Sequence, residues 1–186
     1  GYGAYDTKRA SLNGGVGLGQ SAALDVGVSW TDSDGFPTRA TDDIDRGYDN
    51  LSANVALRAD VGAAEVTVQH WRTAGTSEYS DFFLAPVDQD YVTSTTAAEV
   101  RLPVGAASEA RVSVNHLEDE IQQNQSPDFL ETDRDTLDAQ YDWQLSKVHG
   151  LGVGAMYSRE RARSESYGEG FKSDTDTVNV HVQDRI

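Results

Sequence analysis

The sequence predicts an all-β protein, an antiparallel up-and-down meander of about nine long strands that forms part of a transmembrane β-barrel. Three observations predict it. Apolar residues recur with a period of two, the alternating stretches are long, and the connections between them switch regularly between short and long.

Taken in chain order, a first stretch at 4–16 alternates weakly. At 22–30, Ala22, Leu24, Val26, Val28 and Trp30 share one parity, against Asp25, Gly27 and Ser29. At 51–60, Leu51, Ala53, Val55, Leu57 and Ala59 oppose Ser52, Asn54, Arg58 and Asp60. Weaker alternation occupies 64–73, 91–102 and 109–118. It sharpens again at 137–145, where Leu137, Ala139, Tyr141, Trp143 and Leu145 alternate with Asp138, Gln140, Asp142 and Gln144. Leu151, Val153, Ala155 and Tyr157 continue it, and Val178, Val180 and Val182 close the series against Asn179, His181 and Gln183. A period of 3.6 fits none of these segments, so no helix is expected.

Each strand runs roughly 9–13 residues, longer than the usual 5–6 of soluble sheets and matched to the roughly 9–11 that a tilted strand needs to cross a bilayer. Short connections fall near 17–21, 61–63, 103–108 and 146–150, and long ones near 32–48, 75–90, 119–134 and 160–176. In a meander, alternate connections emerge at opposite ends, so one end is trimmed and the other carries the large loops, as in outer-membrane barrels. The segments 32–49, 76–91, 118–135 and 159–176 hold 22 of the 31 acids, which marks the long-loop end as the wet, exterior one.

Composition agrees once a barrel is considered. Mean hydropathy is -0.55, because only one parity must be apolar while the other lines a polar lumen. A net charge of -16 argues against a nucleic-acid partner, which needs a basic stripe. With no cysteine, neither disulfides nor thiolate metal sites can form. Trp30, Tyr141, Trp143 and Tyr157 lie near strand ends, as an interfacial girdle would. The opening "GYGAYDTKRASLN" lacks a leader's layout, the strand count is odd, and no aromatic closing strand follows "HVQDRI". These features lead to the expectation that residues 1–186 are a piece of a larger barrel.

Four stretches, "VSWTDSDGFPTR", "DRGYDNLSANVALRAD", "HWRTAGTSEYSDFFLAPVDQDY" and "NHLEDEIQQNQSPDFLETDRDTLDAQYDWQL", follow one another in an order that resembles the first third of the barrel in TonB-dependent outer-membrane receptors, most of all the vitamin B12 (cobalamin) receptor branch. The resemblance implies a barrel of about 22 strands and a plug domain that contacts TonB; this chain supplies only an N-terminal part of that barrel. It further implies the outer membrane of a Gram-negative bacterium, bilayer lipid as surroundings, and uptake of a scarce small-molecule nutrient such as cobalamin or a ferric siderophore. No cofactor is required, and calcium is the candidate ion. The competing reading is a soluble or cell-surface β-rich binding or adhesion module stabilised by calcium.

Residues 32–50, "DSDGFPTRATDDIDRGYDN", carry six aspartates but miss the EF-hand ligand pattern. Calcium can still bind where carboxylates converge, and the resemblance implies Asp43 and Asp45 as ligands, with Asp34 and Asp81 as partners. A merely solvated acidic loop is the alternative. Tyr79, Phe82, Phe83 and Tyr91 form an aromatic group on the next long connection, suited either to gripping an apolar, ring-bearing ligand or to packing the loop on its neighbours. His70, His116, His149 and His181 show no metal spacing, and no nucleophile–base arrangement emerges, so no enzyme is expected. A single sheet with Leu24, Val26 and Val28 uncovered by protein would favour the barrel; a second sheet packed on them would favour the soluble module.

Overall fold

A computed structural model describes residues 1–38 and 43–185 of the chain. It contains β1 (Lys8–Gly17), β2 (Ala22–Pro37), β3 (Asp45–Val61), β4 (Ala64–Ser80), β5 (Pro86–Pro103), β6 (Ser108–Gln123), β7 (Phe129–Gln144), β8 (Gly150–Ser166) and β9 (Glu169–Arg185). All nine join one sheet in sequence order, every neighbour antiparallel. No helix occurs among the described residues.

The short connections sit where expected, and a further tight turn appears at the opposite end. Val61 pairs with Ala64 across a turn in which Gly62 adopts φ 66°. At the opposite end, Ser166 pairs with Glu169 across Tyr167 (φ 52°) and Gly168 (φ 81°), the two-residue turn whose positive φ values match strand twist.

The long connections differ from expectation. Most of 75–90, 119–134 and 160–176 is strand, and only 81–85, 124–128 and 167–168 remain as turns there. The cause lies in charge rather than hydropathy. Above the membrane both faces of a hairpin meet water, so no apolar parity is needed, and cross-strand ion pairs take its place. Arg163 pairs with Glu131, Arg134 with Glu160, Arg161 with Asp135 at 3.6 Å, and Arg159 with Asp174 at 3.8 Å. β1 also begins later than expected, at Lys8, because Tyr5 and Asp6 turn the chain at φ 57° and 49°.

The described residues include no buried hydrophobic side chain. Val26 is 50% and Val28 48% exposed, and no second sheet covers them. A valine or leucine left in water forgoes roughly 1.5–3 kcal/mol, so a face this apolar needs another cover. The soluble sandwich is thereby corrected: the described residues form one sheet, with no second layer among them.

Register shows what the cover must look like. Following paired residues from Leu24 leads through Leu57, Val68, Ala98, Val114, Leu137 and Tyr157 to Val178, an unbroken apolar row on one face. On β2 the apolar stretch continues from this row toward the long-loop end as far as Trp30. On β6 to β9 the next row in that direction is already His116, Asp135, Arg159 and Asp176, and the apolar stretch runs the other way to Trp143 and Leu151. Between β2 and β7 the band's long-loop edge drops six residues over five strand pairs, about one residue per strand on average, with the drop falling between β3 and β4. With a rise of about 3.3 Å per residue and strands about 4.8 Å apart, that slope is about 35°, the tilt of strands in a membrane barrel. Leu137 to Leu145 then spans about 27 Å along the strand and about 22 Å across the bilayer, near the roughly 25 Å apolar band of such barrels. The opposite face carries Ser52, Asn54, Arg58, Gln69, Ser113, Asn115 and Gln140.

Replacing Ala139 by Arg, in the middle of the apolar band, is expected to destabilise the folded full-length protein in lipid vesicles by about 2–4 kcal/mol. Ser113→Arg, on the other face, is expected to cost no more than about 1 kcal/mol. Equilibrium denaturant titration in vesicles measures both, and equal costs would overturn the assignment of faces.

Candidate functional site

Because the strands are 16–18 residues long from β2 onward, roughly half of each rises beyond the apolar band at the long-loop end. The candidate functional residues lie on this raised rim, in four groups.

The first is an acidic cleft of about 390 Å³ lined by Asp32, Asp34, Asp45, Asp49 and Glu78. Pairing of Asp32 with Asp49 brings two of these carboxylates face to face. Gly35 makes the local path feasible: β2 bulges between Ser33 and Phe36, and at φ 73° a Cβ there would lie 1.7 Å from the Arg46 carbonyl oxygen. Arg46, only 6% exposed, ties the β3 entry to β4 by donating to Ser80 Oγ at 2.8 and 3.1 Å. Glu78 Oε2 accepts from Gly47 N at 2.8 Å, and Asp49 Oδ2 accepts from Thr76 N at 2.7 Å.

The second group occupies the polar face. Tyr48 and Tyr91 stack with ring centroids 6.4 Å apart. Asn50 Nδ2 donates to Tyr91 Oη at 2.7 Å and to Thr73 Oγ1 at 2.6 Å, and the Tyr91 hydroxyl donates to the Asp49 carbonyl at 3.2 Å. Gly75, beside them, leaves the room: a Cβ there would come 2.8 Å from Tyr91 Oη. Burial, reinforced by the Tyr48 hydroxyl, pushes the Tyr91 phenol up to about 12.

The third group is a depression of about 750 Å³ between hairpin tips, where Tyr79 and Asp81 meet Phe129, Leu130 and Tyr167. Asp88 braces it from β5. Its carboxylate accepts from Asn124 and Gln125, and those hydrogen bonds hold it below the usual carboxylate range.

The fourth is a cluster that sequence reasoning passed over: His116 and Glu118 on β6 with Asp133 and Asp135 on β7. His116 Nδ1 lies 2.7 Å from Asp135 Oδ1, and Nε2 lies 3.2 Å from Glu118 Oε1. Those contacts raise the imidazole's pKa, Asp135 first and Glu118 second, and lower that of Glu118 through His116 and then Ser94. The signal was available in principle, since a hairpin centred near 125–126 places His116 opposite Asp135 and Glu118 opposite Asp133.

The structure thus gathers Asp34 and Asp45 in one cleft and adds Asp32, Asp49 and Glu78, which sequence reasoning missed. Asp43 is exposed and outside the cleft's lining. Asp81 lines the tip depression instead, and its Oδ1 accepts from Ala85 N at 2.8 Å, as an aspartate in a turn does. The aromatic four divide as well. Tyr91 lies within β5, Tyr79 is the last residue but one of β4, and Phe82 and Phe83 stand at the turn, 87% and 81% exposed, edge to face with ring centroids 5.5 Å apart.

A single tilted sheet with one apolar band, one polar face and a charged rim is the architecture of an outer-membrane β-barrel protein, and the chain has that fold. Solved structures that share it include two of OmpT. OmpT folded in vitro, an outer membrane protein of Vibrio cholerae in trimer form, matches with a TM-score of 0.59 and 15% identity, over 96% of this chain and 55% of that one. OmpT expressed in the outer membrane of Vibrio cholerae matches with a TM-score of 0.56, 15% identity and the same coverage. The chain spans about half the length of the structures it matches. No family model and no curated protein matches.

Both neighbours are outer-membrane proteins, in agreement with the location expected from the sequence. The narrower resemblance, to TonB-dependent receptors and their cobalamin branch, rests on the sequence motifs alone. The exclusion of an enzyme is corrected by the likeness to OmpT: at 15% identity the two share the fold, and that fold leaves an enzyme open.

The Tyr91 value gives a signed expectation. Its folded pKa lies above the ordinary 10, so the contribution of the neutral phenol is complete below pH 10 and is lost as pH rises through about 12. In Tyr91→Phe, the last step of the tyrosinate absorbance titration is expected to vanish. Loss of the acceptor for Asn50 is expected to lower stability by about 1 kcal/mol below pH 10.

Proposed function

We propose that the chain is part of the barrel wall of an outer-membrane transport protein, and that the whole protein is a TonB-dependent receptor for a scarce nutrient. The observation that carries this reading is the height of the wall. Strands of 16–18 residues extend well past the apolar band and present Tyr48, Asn50 and Tyr91 on the polar face. A pore needs only to cross the membrane; a raised, hydrogen-bonded, partly aromatic rim suits capture of a ligand before passage. The ordered sequence motifs support the receptor over a passive pore. In this reading a plug and TonB contacts belong to chain outside residues 1–186, and lipid covers the apolar band.

Calcium belongs to the same proposal. The acidic cleft, with Asp34 and Asp45 among its carboxylates, is its place, and the ion would order the β2–β3 and β4–β5 hairpins against each other. Isothermal titration of the full-length protein is expected to lose calcium binding in an Asp34→Asn, Asp45→Asn variant; unchanged binding would eliminate the site.

Two measurements test the larger reading. Cysteines placed at Phe83 and Gly168 are expected to react with a membrane-impermeant maleimide on intact cells, whereas one at Gly62 is not. Nutrient uptake through the full-length protein is expected to stop when the proton-motive force is collapsed. Uptake that continues undiminished identifies a passive pore instead.

A further inference from the structure

We propose that His116, Glu118 and Asp133 form a binding site for a divalent first-row metal ion such as Zn²⁺, with Asp135 as a positioning residue. Among the described residues, these three side chains are the set whose ligand atoms all lie within 4.8 Å of one another. The carboxylates of the acidic cleft are not drawn together to that degree.

Strand geometry makes the arrangement. His116 and Glu118 are two apart on β6, so both project from the same face. Register sets Asp133 directly opposite Glu118, and Asp135 directly opposite His116. Four functional groups thus converge from two adjacent strands whose hydrogen bonds hold them in place. The cluster stands one row beyond Val114 and Leu137, outside the apolar band and in reach of water.

Hydrogen bonding gives each group a separate role. Asp135 Oδ1 accepts from His116 Nδ1 at 2.7 Å, and its other oxygen faces Arg161 Nη2 at 3.6 Å. That contact keeps a proton on Nδ1 and aims Nε2 at Glu118, the arrangement of the second-layer carboxylate commonly found behind a metal-bound histidine. Ser94 Oγ, only 8% exposed, donates to Glu118 Oε2 at 3.1 Å and turns Oε1 toward Nε2. Nε2 and Oε1 face each other across 3.2 Å; in the metal-free protein a proton on Nε2 fills that contact, and a metal ion that displaces the proton would bind both atoms. Bonds of about 2.0–2.1 Å in tetrahedral zinc coordination set neighbouring ligand atoms about 3.3–3.4 Å apart. The observed separation is close to that edge.

Donor chemistry selects the metal. An imidazole with two carboxylates favours zinc and its first-row neighbours over calcium, which takes six to eight oxygens. Three protein ligands leave at least one coordination position for water or an incoming group. The site is independent of the calcium cleft and of the transport reading.

The test uses metal-stripped full-length protein in detergent, with Zn²⁺ measured against a chromophoric chelator and Co²⁺ as a spectroscopic probe. Wild type is expected to take up one Zn²⁺ that millimolar Ca²⁺ does not displace, and to give a Co²⁺ visible band. His116→Ala and Asp133→Asn are each expected to weaken Zn²⁺ binding at least 100-fold and to abolish the Co²⁺ band. Asp135→Asn is expected to weaken it roughly 10-fold and to shift the band, as loss of a positioning carboxylate does. His149→Ala, at a short turn, serves as a control expected to bind as wild type does. Unchanged circular dichroism in each variant separates loss of ligand from loss of fold. Absence of stoichiometric binding in wild type, or binding that survives His116→Ala in folded protein, overturns the site.

Discussion

Everything in this structure depends on one constraint: a single sheet whose apolar face has no protein to cover it. In a sandwich, the same alternation would be buried by a facing layer. Here the row from Leu24 to Val178 is continuous, uncovered and bounded at its long-loop end on β6 to β9 by charge. Lipid satisfies that face, and a sheet satisfies lipid, because strand pairing leaves no interior backbone group without a partner. Every strand from β2 to β8 is paired on both sides.

The tilt follows from the same constraint. If the bilayer is flat and the strands lean, the apolar stretch must shift between strands, and its long-loop edge moves from Trp30 on β2 to Val68 on β4, six residues along the paired rows. The slip also explains why charged residues can share a face with apolar ones. His70 and Arg72 lie on the face of Val66 and Val68, but beyond the row where the band ends on β4. In the proposed receptor the band faces lipid, the opposite face a polar interior, and the raised rim is left for recognition. All four groups of candidate residues are found on that rim.

How much of this could be read in the sequence varied with depth in the membrane. Segments 22–30, 51–60, 137–145, 151–157 and 178–183 alternate cleanly because one of their faces must be apolar. The weak alternation at 64–73 has a particular cause, since His70 and Arg72 stand on the apolar face while Trp71 stands on the polar one. The upper halves of the hairpins were read as loops because two wetted faces leave no hydropathic period. Their strand character is carried by cross-strand charge, as in the Arg163–Glu131 pair. Site residues depended on register. Asp32 and Asp49, or His116 and Asp135, become neighbours only once pairing is known, so their separation in the chain concealed them. Asp81 lines the tip depression and not the acidic cleft, because its own turn holds it there.

The chain's three tryptophans test the assignment of faces most directly. Trp30 and Trp143 share the apolar face, near its two edges, whereas Trp71 pairs with Asn54 and Thr95 on the polar one. Single-tryptophan variants of the full-length protein, folded into vesicles with brominated acyl chains, report which indoles touch lipid. Fluorescence of Trp30 and Trp143 is expected to be quenched and that of Trp71 to persist. Quenching of Trp71 with protection of the other two would contradict the account.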